Sequence, residues 1–254
     1  MTNPLSLSGQ TAIVTGGTRG LGREIATVLA QAGATVIVCG RSAPESLPPG
    51  VAFHAADVRE PEQAKALVDA ALTQTGRLDI VVNNAGGSPE AASATVSPRF
   101  SEAIIRLNLM APLFVAQAAY ATMAAQHSGL IVNIASVSGI RPSPGTTAYG
   151  AAKAGLLNMT QSLAQEWGPA GIRVNAVIVG LATTETAEQT YGDAAAQARI
   201  AASLPLGRMC TGQDVGNAIL YLASPLASYV SGAQLEVFGG GERPYFLDLA
   251  KGEG

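Results

Sequence analysis

The stretch Thr15-Gly16-Gly17-Thr18-Arg19-Gly20-Leu21-Gly22 decides how this chain is read. It follows an apolar, β-branched run, Thr11–Thr15, and opens an Ala/Leu-rich helical pattern over 20–32. Glycines in such a strand-to-helix turn let the backbone approach a pyrophosphate, and the helix N-terminus offers unpaired N–H donors and partial positive charge. A glycine-rich turn alone can be a tight connection and nothing more. Its position between a strand and a helix is what points to a dinucleotide, with Gly16, Thr18, Arg19, Gly20, Leu21 and Gly22 as the first candidate contacts.

Outward from this turn, short β-branched runs alternate with longer helical patterns, the signature of repeated βαβ units. Strands are predicted at Thr11–Thr15, Thr35–Cys39, Val51–Ala55, Leu78–Asn83, Leu130–Ile134, Ile172–Val177 and Gln234–Val237, with helices near 20–32, 60–74, 101–125, 149–167 and 214–223. The strands are nearly continuously apolar, as in a parallel sheet covered on both faces. The expected fold is α/β: one doubly wound domain over 1–254 with a seven-stranded parallel sheet. Ligands of such sheets lie beyond the carboxyl ends of the strands. The least regular stretches on that edge, 86–98 and 179–210, are the expected substrate loops, and 242–254 forms a tail.

Composition narrows the classes. The chain has 254 residues, 48% hydrophobic and 13% charged, with a net charge of −3. Its arginines are scattered, which argues against a nucleic-acid or anionic-membrane footprint. No apolar run reads as long enough to cross a bilayer, and Met1–Gly9 lacks the layout of a secretory signal, so a cytoplasmic location is expected. Cys39 and Cys210 are too few for a disulfide framework, and His54 and His127 form no metal spacing. The cysteines are read as free thiols and the histidines as structural residues.

Enzymes that use the unphosphorylated dinucleotide usually hold the adenosine ribose with an acid at the end of the second strand. Here that place is Gly40, followed by Arg41. Two guanidinium forks, Arg19 and Arg41, could meet a 2′-phosphate, which favours NADP(H) and leaves NAD(H) possible. Asp57 and Val58 follow the third strand, and Asn84, Ala85 and Gly86 follow the fourth, on the same edge. Asp57 could accept from an adenine amino group, and the small residues leave room for a cofactor to lie across them.

Tyr149 and Lys153 are four apart on a predicted helix, so both emerge on one face. Reducing a ketone needs an acid to protonate the developing alkoxide, and oxidising an alcohol needs the matching base. A phenol, ordinarily near pKa 10, must be shifted for this. A cation at about 4 Å and an effective dielectric of about 20 supplies roughly 4 kcal/mol, about three pKa units at most. Ser136, just past the fifth strand, could hold the substrate oxygen against Tyr149. Asn108 sits in a helical pattern four residues before Pro112, which cannot donate to the Asn108 carbonyl. That carbonyl could hold an ordered water leading to Lys153, or the pair could mark only a kink.

Together these motifs resemble the short, single-domain branch of the short-chain dehydrogenase/reductase family. The likeness runs from TGGTRGLG through NNAG, Asn108, Ser136 and YGAAK at 149–153 to Ser231-Gly232 and Gly239–Gly241. It implies Tyr149 as acid/base, Ser136 as orienter of the carbonyl, and Lys153 as the group that lowers the phenol pKa and binds the nicotinamide ribose. Asn108 would complete a proton relay. It also implies metal-free hydride transfer on a small carbonyl or alcohol substrate and a homotetramer packed through the helices holding Asn108 and Tyr149. One departure is Val179-Gly180, where the family commonly has proline before glycine; Gly180 is an expected cofactor contact there, and both Thr183 and Thr184 resemble the family's nicotinamide-carboxamide threonine, with Thr184 preferred. Rival activities are a 3-oxoacyl-thioester reductase, with Arg99, Arg141 and Arg208 as carrier contacts, and a hydroxysteroid-type dehydrogenase. A non-catalytic cofactor sensor is the remote alternative, and enoyl reductases of the family space tyrosine and lysine more widely. Ala91, Ala92, Ile140, Leu181 and Met209 hint at an apolar pocket, and Pro244, Tyr245 and Phe246 are expected to dock the tail on this or a neighbouring subunit.

Overall fold

The chain's strands are β1 (Thr11–Thr15), β2 (Thr35–Gly40), β3 (Val51–Ala55), β4 (Ile80–Asn83), β5 (Gly129–Ser136), β6 (Ile172–Val179) and β7 (Gln234–Val237). They form one seven-stranded sheet in the order β3-β2-β1-β4-β5-β6-β7, parallel throughout. The structure is a computed structural model that describes residues 3–185, 187–244 and 246–249. The order reverses at β1, which pairs with β2 on one side and β4 on the other, so the ends of β1 and β4 frame the crevice where such sheets bind ligands.

The helices are α1 (Gly20–Gln31), α2 (Pro61–Thr75), α3 (Pro98–Ile105), α4 (Ala111–Gln126), α5 (Thr147–Trp167), α6 (Ala187–Tyr191), α7 (Ala194–Ser203), α8 (Gly212–Ala223) and α9 (Phe246–Leu249). Helices α1 and α8 cover one face of the sheet through Ile25, Leu29, Val215 and Ile219. Helices α2, α4 and α5 cover the other through Leu67, Val115, Met123 and Trp167. Every residue of β1 is buried, which is why that strand shows no alternation of apolar and polar positions.

Among the boundaries that differ from the sequence reading, three have a clear local origin or bear on the site. β4 starts at Ile80, because the Asp79 carboxylate, paired with Arg77, takes the Thr11 N–H at 2.8 Å just before the strand begins. β5 runs on to Ser136, which pairs with Val179, so Ser136 is the last residue of its strand instead of a loop residue. The helix expected at 101–125 begins at Pro98, behind the Ser97 N-cap, and carries a π-helical turn over Arg106–Met110.

By length and composition, the 29-residue run Pro98–Gln126, which contains an 18-residue window of mean hydropathy 1.3, could cross a bilayer, which corrects the expectation that none could; core helices pass the same test. Within the chain α4 packs against α2, β4 and β5, which accounts for part of this apolarity; 39% of the window is buried there.

The two cysteines are buried free thiols, and burial raises each to about 11, which leaves them inert at neutrality. His127 ends α4 in the left-handed conformation (φ 49°), a capping role that agrees with its structural reading.

Candidate active site

The fifth strand and the fifth helix bring the predicted catalytic residues together. Ser136 closes β5, and its Oγ accepts from the Ser138 N–H at 3.2 Å, which caps a short 3-10 turn at Val137–Gly139 and fixes the hydroxyl. Tyr149, in the first turn of α5, lies close enough to Ser136 for the serine hydroxyl to favour its phenolate. One turn on, Lys153 is 3% exposed, with its Nζ 5.5 Å from the centre of the Tyr149 ring and donating to the Ile134 carbonyl at 2.7 Å. A lysine buried this fully beside a phenol is a costly arrangement that stability alone does not require.

The electrostatics differ from the expectation that Lys153 lowers the tyrosine. Burial pushes the Tyr149 phenol above its ordinary value, and the Ser136 hydroxyl opposes that only in part. Burial also brings Lys153 down to about 8. The Lys153 Nζ stands 5.5 Å from the ring centre, and desolvation prevails. The phenol therefore keeps its proton at neutral pH, as a proton donor to a ketone must.

Asn108 is wholly buried in the π-helical turn. Its Oδ1 accepts from the Gly87 N–H at 2.9 Å, and its Nδ2 donates to the carbonyls of Gly87 and Ile104, both at 3.0 Å. The Asn108 side chain thus anchors the root of the loop 86–98, a role the sequence reading missed by attending to its backbone carbonyl. Gly86 is required beside it. A Cβ there would stand 2.7 Å from Asn108 Oδ1 and 3.4 Å from Lys153 Nζ.

At the sheet's switch point, Thr15 Oγ1 accepts from the backbone of Asn84 and Ala85 at 3.0 and 2.9 Å. The Asn84 amide donates to the carbonyls of Thr15 and Gly16, so Asn84 acts as a brace that binds the end of β4 to the glycine turn. A Cβ at Gly40 would meet the Thr18 side chain at 3.2 Å, a tight contact, and no acid stands at this position. Arg19 and Arg41 are exposed on this rim, and Val58 is buried below it. The Asp57 carboxylate is held by Arg59 and kept below the ordinary carboxylate range by that pairing. The Arg59 pairing thus takes up part of the carboxylate's accepting capacity.

Val179, in place of the family's proline, is a regular β6 residue paired with Val237, and the Gly180 N–H continues the ladder to the Val237 carbonyl at 3.2 Å. Beyond it, Thr184 rather than Thr183 faces the glycine turn: a Cβ on Gly20 would lie 3.7 Å from the Thr184 side chain. Leu21 and Gly22 lie in the first turn of α1, with Gly22 buried against Gly16 and Asn84.

Two further features were not read from the sequence. Tyr191, at the end of α6, reaches the backbone of Ala182 and is near enough to Tyr149 to act on its charge. Arg141, just after the Ser136 turn, is ion-paired with Glu242 at the root of the tail. Of the expected apolar pocket residues, Met209 is core, at 6% exposure, whereas Ile140 is 48% exposed.

The cradle is suited to a dinucleotide: a glycine turn at the switch point, small residues across the crevice, and no carboxylate at the second strand's end. With a phenol, a serine and a buried lysine at its inner end, the chain is an oxidoreductase of the doubly wound dinucleotide-binding class. The family described as Enoyl-(Acyl carrier protein) reductase matches residues 16–242. The 4-formylbenzenesulfonate dehydrogenase of Comamonas testosteroni is 38% identical over 250 residues, covering 93% of this chain and 99% of that one. The 3-oxoacyl-[acyl-carrier-protein] reductase of Thermotoga maritima is 35% identical over 245 residues, with 93% and 99% covered. A Sinorhizobium meliloti 1021 structure described as a short-chain alcohol dehydrogenase superposes with a TM-score of 0.86 at 35% identity, covering 94% of this chain and 98% of that one. A Beutenbergia cavernae structure described as an NAD(P)-dependent gluconate 5-dehydrogenase, with NADP bound at low occupancy, gives 0.84 at 34% identity and the same coverage. The chain belongs to the short-chain dehydrogenase/reductase family and acts on CH–OH and carbonyl carbons with NAD(P).

Proposed function

We propose that this enzyme interconverts a small ketone and its secondary alcohol with NADP(H) preferred, using Tyr149 as acid/base, Ser136 as orienter, Lys153 as the cation beneath them and Asn108 as the anchor of the site. The observation that carries the reading is the convergence of Ser136, Tyr149 and the buried Lys153 at the carboxyl end of β5. The dinucleotide, when bound, supplies or accepts the hydride. In reduction, the substrate oxygen is held between Ser136 Oγ and the Tyr149 hydroxyl, and the phenol gives its proton to that oxygen. The resulting phenolate lies beside Lys153, whose charge favours it in either direction of reaction. A screen of ketones, hydroxysteroids and 3-oxoacyl thioesters tests the reading; turnover undiminished in Tyr149→Phe would overturn it.

The cofactor preference rests on Arg19 and Arg41 on a rim with no ribose-binding acid. Replacing both with alanine is expected to raise the KM for NADPH far more than that for NADH; equal changes would remove the preference. For a thioester on an acidic carrier, the expected arginine contacts are partly spent, since Arg141 pairs with Glu242 and Arg208 with Asp214. That favours a small carbonyl substrate.

A cytoplasmic homotetramer is the proposed working form. Support comes from the apolar face that α4 leaves uncovered within the chain, Tyr120 (38% exposed) included. The tail belongs to the same proposal: Phe246 is 66% exposed, so its ring does not dock on its own subunit, and a neighbouring one is the place left for it. Tyr245 lies outside the described residues. Deleting 243–254 without change in assembly or turnover would remove this part.

A further inference from the structure

Helix α1 begins without a cap of its own. Its N-cap residue, Arg19, has an extended backbone and makes no side-chain cap, and the first turn carries no acid. The leading N–H groups of a helix need a partner, and the partial positive charge there favours an anion. In this chain the partner comes from far away: Gly20 N–H donates to Glu185 Oε1 at 3.2 Å. Gly20 has φ +53°, a conformation that favours glycine, and a Cβ on it would be in van der Waals contact with Glu185 Oε2 at 3.5 Å, so the carboxylate lies directly over this turn. Helix α8 receives a carboxylate as well, from Glu24 to Gln213 N–H at 3.0 Å, but Glu24 is on α1, which packs along α8. Glu185 is different: it is exposed and lies in the segment between β6 and α6.

We infer that Glu185 occludes the cofactor site: its carboxylate holds the N-terminus of α1 in the free enzyme and must be displaced by the dinucleotide's pyrophosphate. This rests on the reading that a dinucleotide lies across the glycine turn. Both anions want the same donor, and like charges at one helix end repel each other. Cofactor entry is thus an anion exchange that moves Glu185 away from Gly20. Thr184 is adjoining in sequence and packs against the same glycine, so that exchange also repositions the residue expected to meet the nicotinamide. The apparent affinity for cofactor is lowered by the fraction of molecules in the closed form, and release is aided by the return of the carboxylate.

The test is equilibrium binding of NADPH, NADH and adenosine 2′-monophosphate to the parent, Glu185→Gln and Glu185→Ala proteins. The dinucleotides are followed by nicotinamide fluorescence and the mononucleotide by calorimetry. Both dinucleotides are expected to bind the two variants about two- to five-fold more tightly, the scale of one charge at a helix end. Adenosine 2′-monophosphate, which lacks the pyrophosphate, should bind all three proteins equally. Unchanged or weaker dinucleotide binding in both variants, with melting temperatures intact, overturns the inference, as does an equal gain for the mononucleotide. If the parent binds neither dinucleotide, the proposed cofactor site itself fails and takes this inference with it.

Discussion

Asn108 grips both backbone groups of Gly87, accepting from its N–H at 2.9 Å and donating to its carbonyl at 3.0 Å. The π-helical turn makes this possible. The Ala111 N–H reaches back to the Arg106 carbonyl, and the widened turn turns the asparagine inward beneath the crevice. The loop that follows β4 is therefore held by a side chain from the helix that follows it.

Asn108→Asp tests this clamp. Aspartate keeps an acceptor for the Gly87 N–H but loses the donor and sets a carboxylate against the Gly87 and Ile104 carbonyls in a site with no exposure. A loss of about 3 kcal/mol is expected, or a Tm lower by roughly 6–12 °C for a domain of this size. Turnover should fall with it, because Gly86 beside the clamp also borders Lys153.

Lys153→Met should separate stability from activity. Burial takes Lys153 from 10.5 to about 8, so between those values the unfolded chain binds more protons than the folded one and parent stability rises with pH. Below about 8 the folded state carries the whole penalty, up to about 3 kcal/mol, against about 1 for the hydrogen bond to Ile134. The methionine variant is expected to be more stable than the parent at pH 7 by about 1–2 kcal/mol, with the advantage gone by pH 10.5, and to have lost turnover. Melting curves at the two pH values check it; a less stable variant at pH 7 would contradict it.

Tyr149→Phe should reduce ketone turnover by at least about 10²-fold while NADPH affinity changes little. In the parent, kcat/KM for reduction should fall as pH rises through about 8, where Lys153 loses its proton while Tyr149, raised by burial, keeps its own. A profile flat to pH 10 would mean that the lysine charge is not used.

Sequence made the sheet legible because a strand buried on both faces must be apolar along its length, and β1, β2 and β5 are. Tyr149 and Lys153 were legible because a helix fixes the neighbours four residues apart. What escaped depends on three dimensions. The direction of the Tyr149 shift follows from burial, which spacing does not report. Nothing in the segment around Glu185 indicates that it meets Gly20, 165 residues earlier. Tyr191 and the Arg141–Glu242 pair likewise join segments distant in sequence. The sequence does carry one further signal of the polar interior, the single asparagine in each of two apolar strands, Asn83 in β4 and Asn133 in β5.

Those asparagines set the last prediction. Asn133, 1% exposed, accepts from Asn83 Nδ2 at 2.9 Å and donates to Thr160 Oγ1 at 2.9 Å, and Thr160 donates in turn to the Leu156 carbonyl at 2.8 Å. The chain ties β4 and β5 to α5 inside an apolar layer, where an unpaired polar group is costly. Asn83 Oδ1 is already buried without a partner among the described residues, so its amide has little to spare. Asn133→Leu should therefore cost about 2–3 kcal/mol. Thr160→Val removes the same link from the other end, so the double variant should cost less than the two singles together by about 1 kcal/mol. Denaturant melts of the four proteins measure the coupling. Strict additivity would mean that the two residues stabilise the core independently and that the polar chain is not a unit.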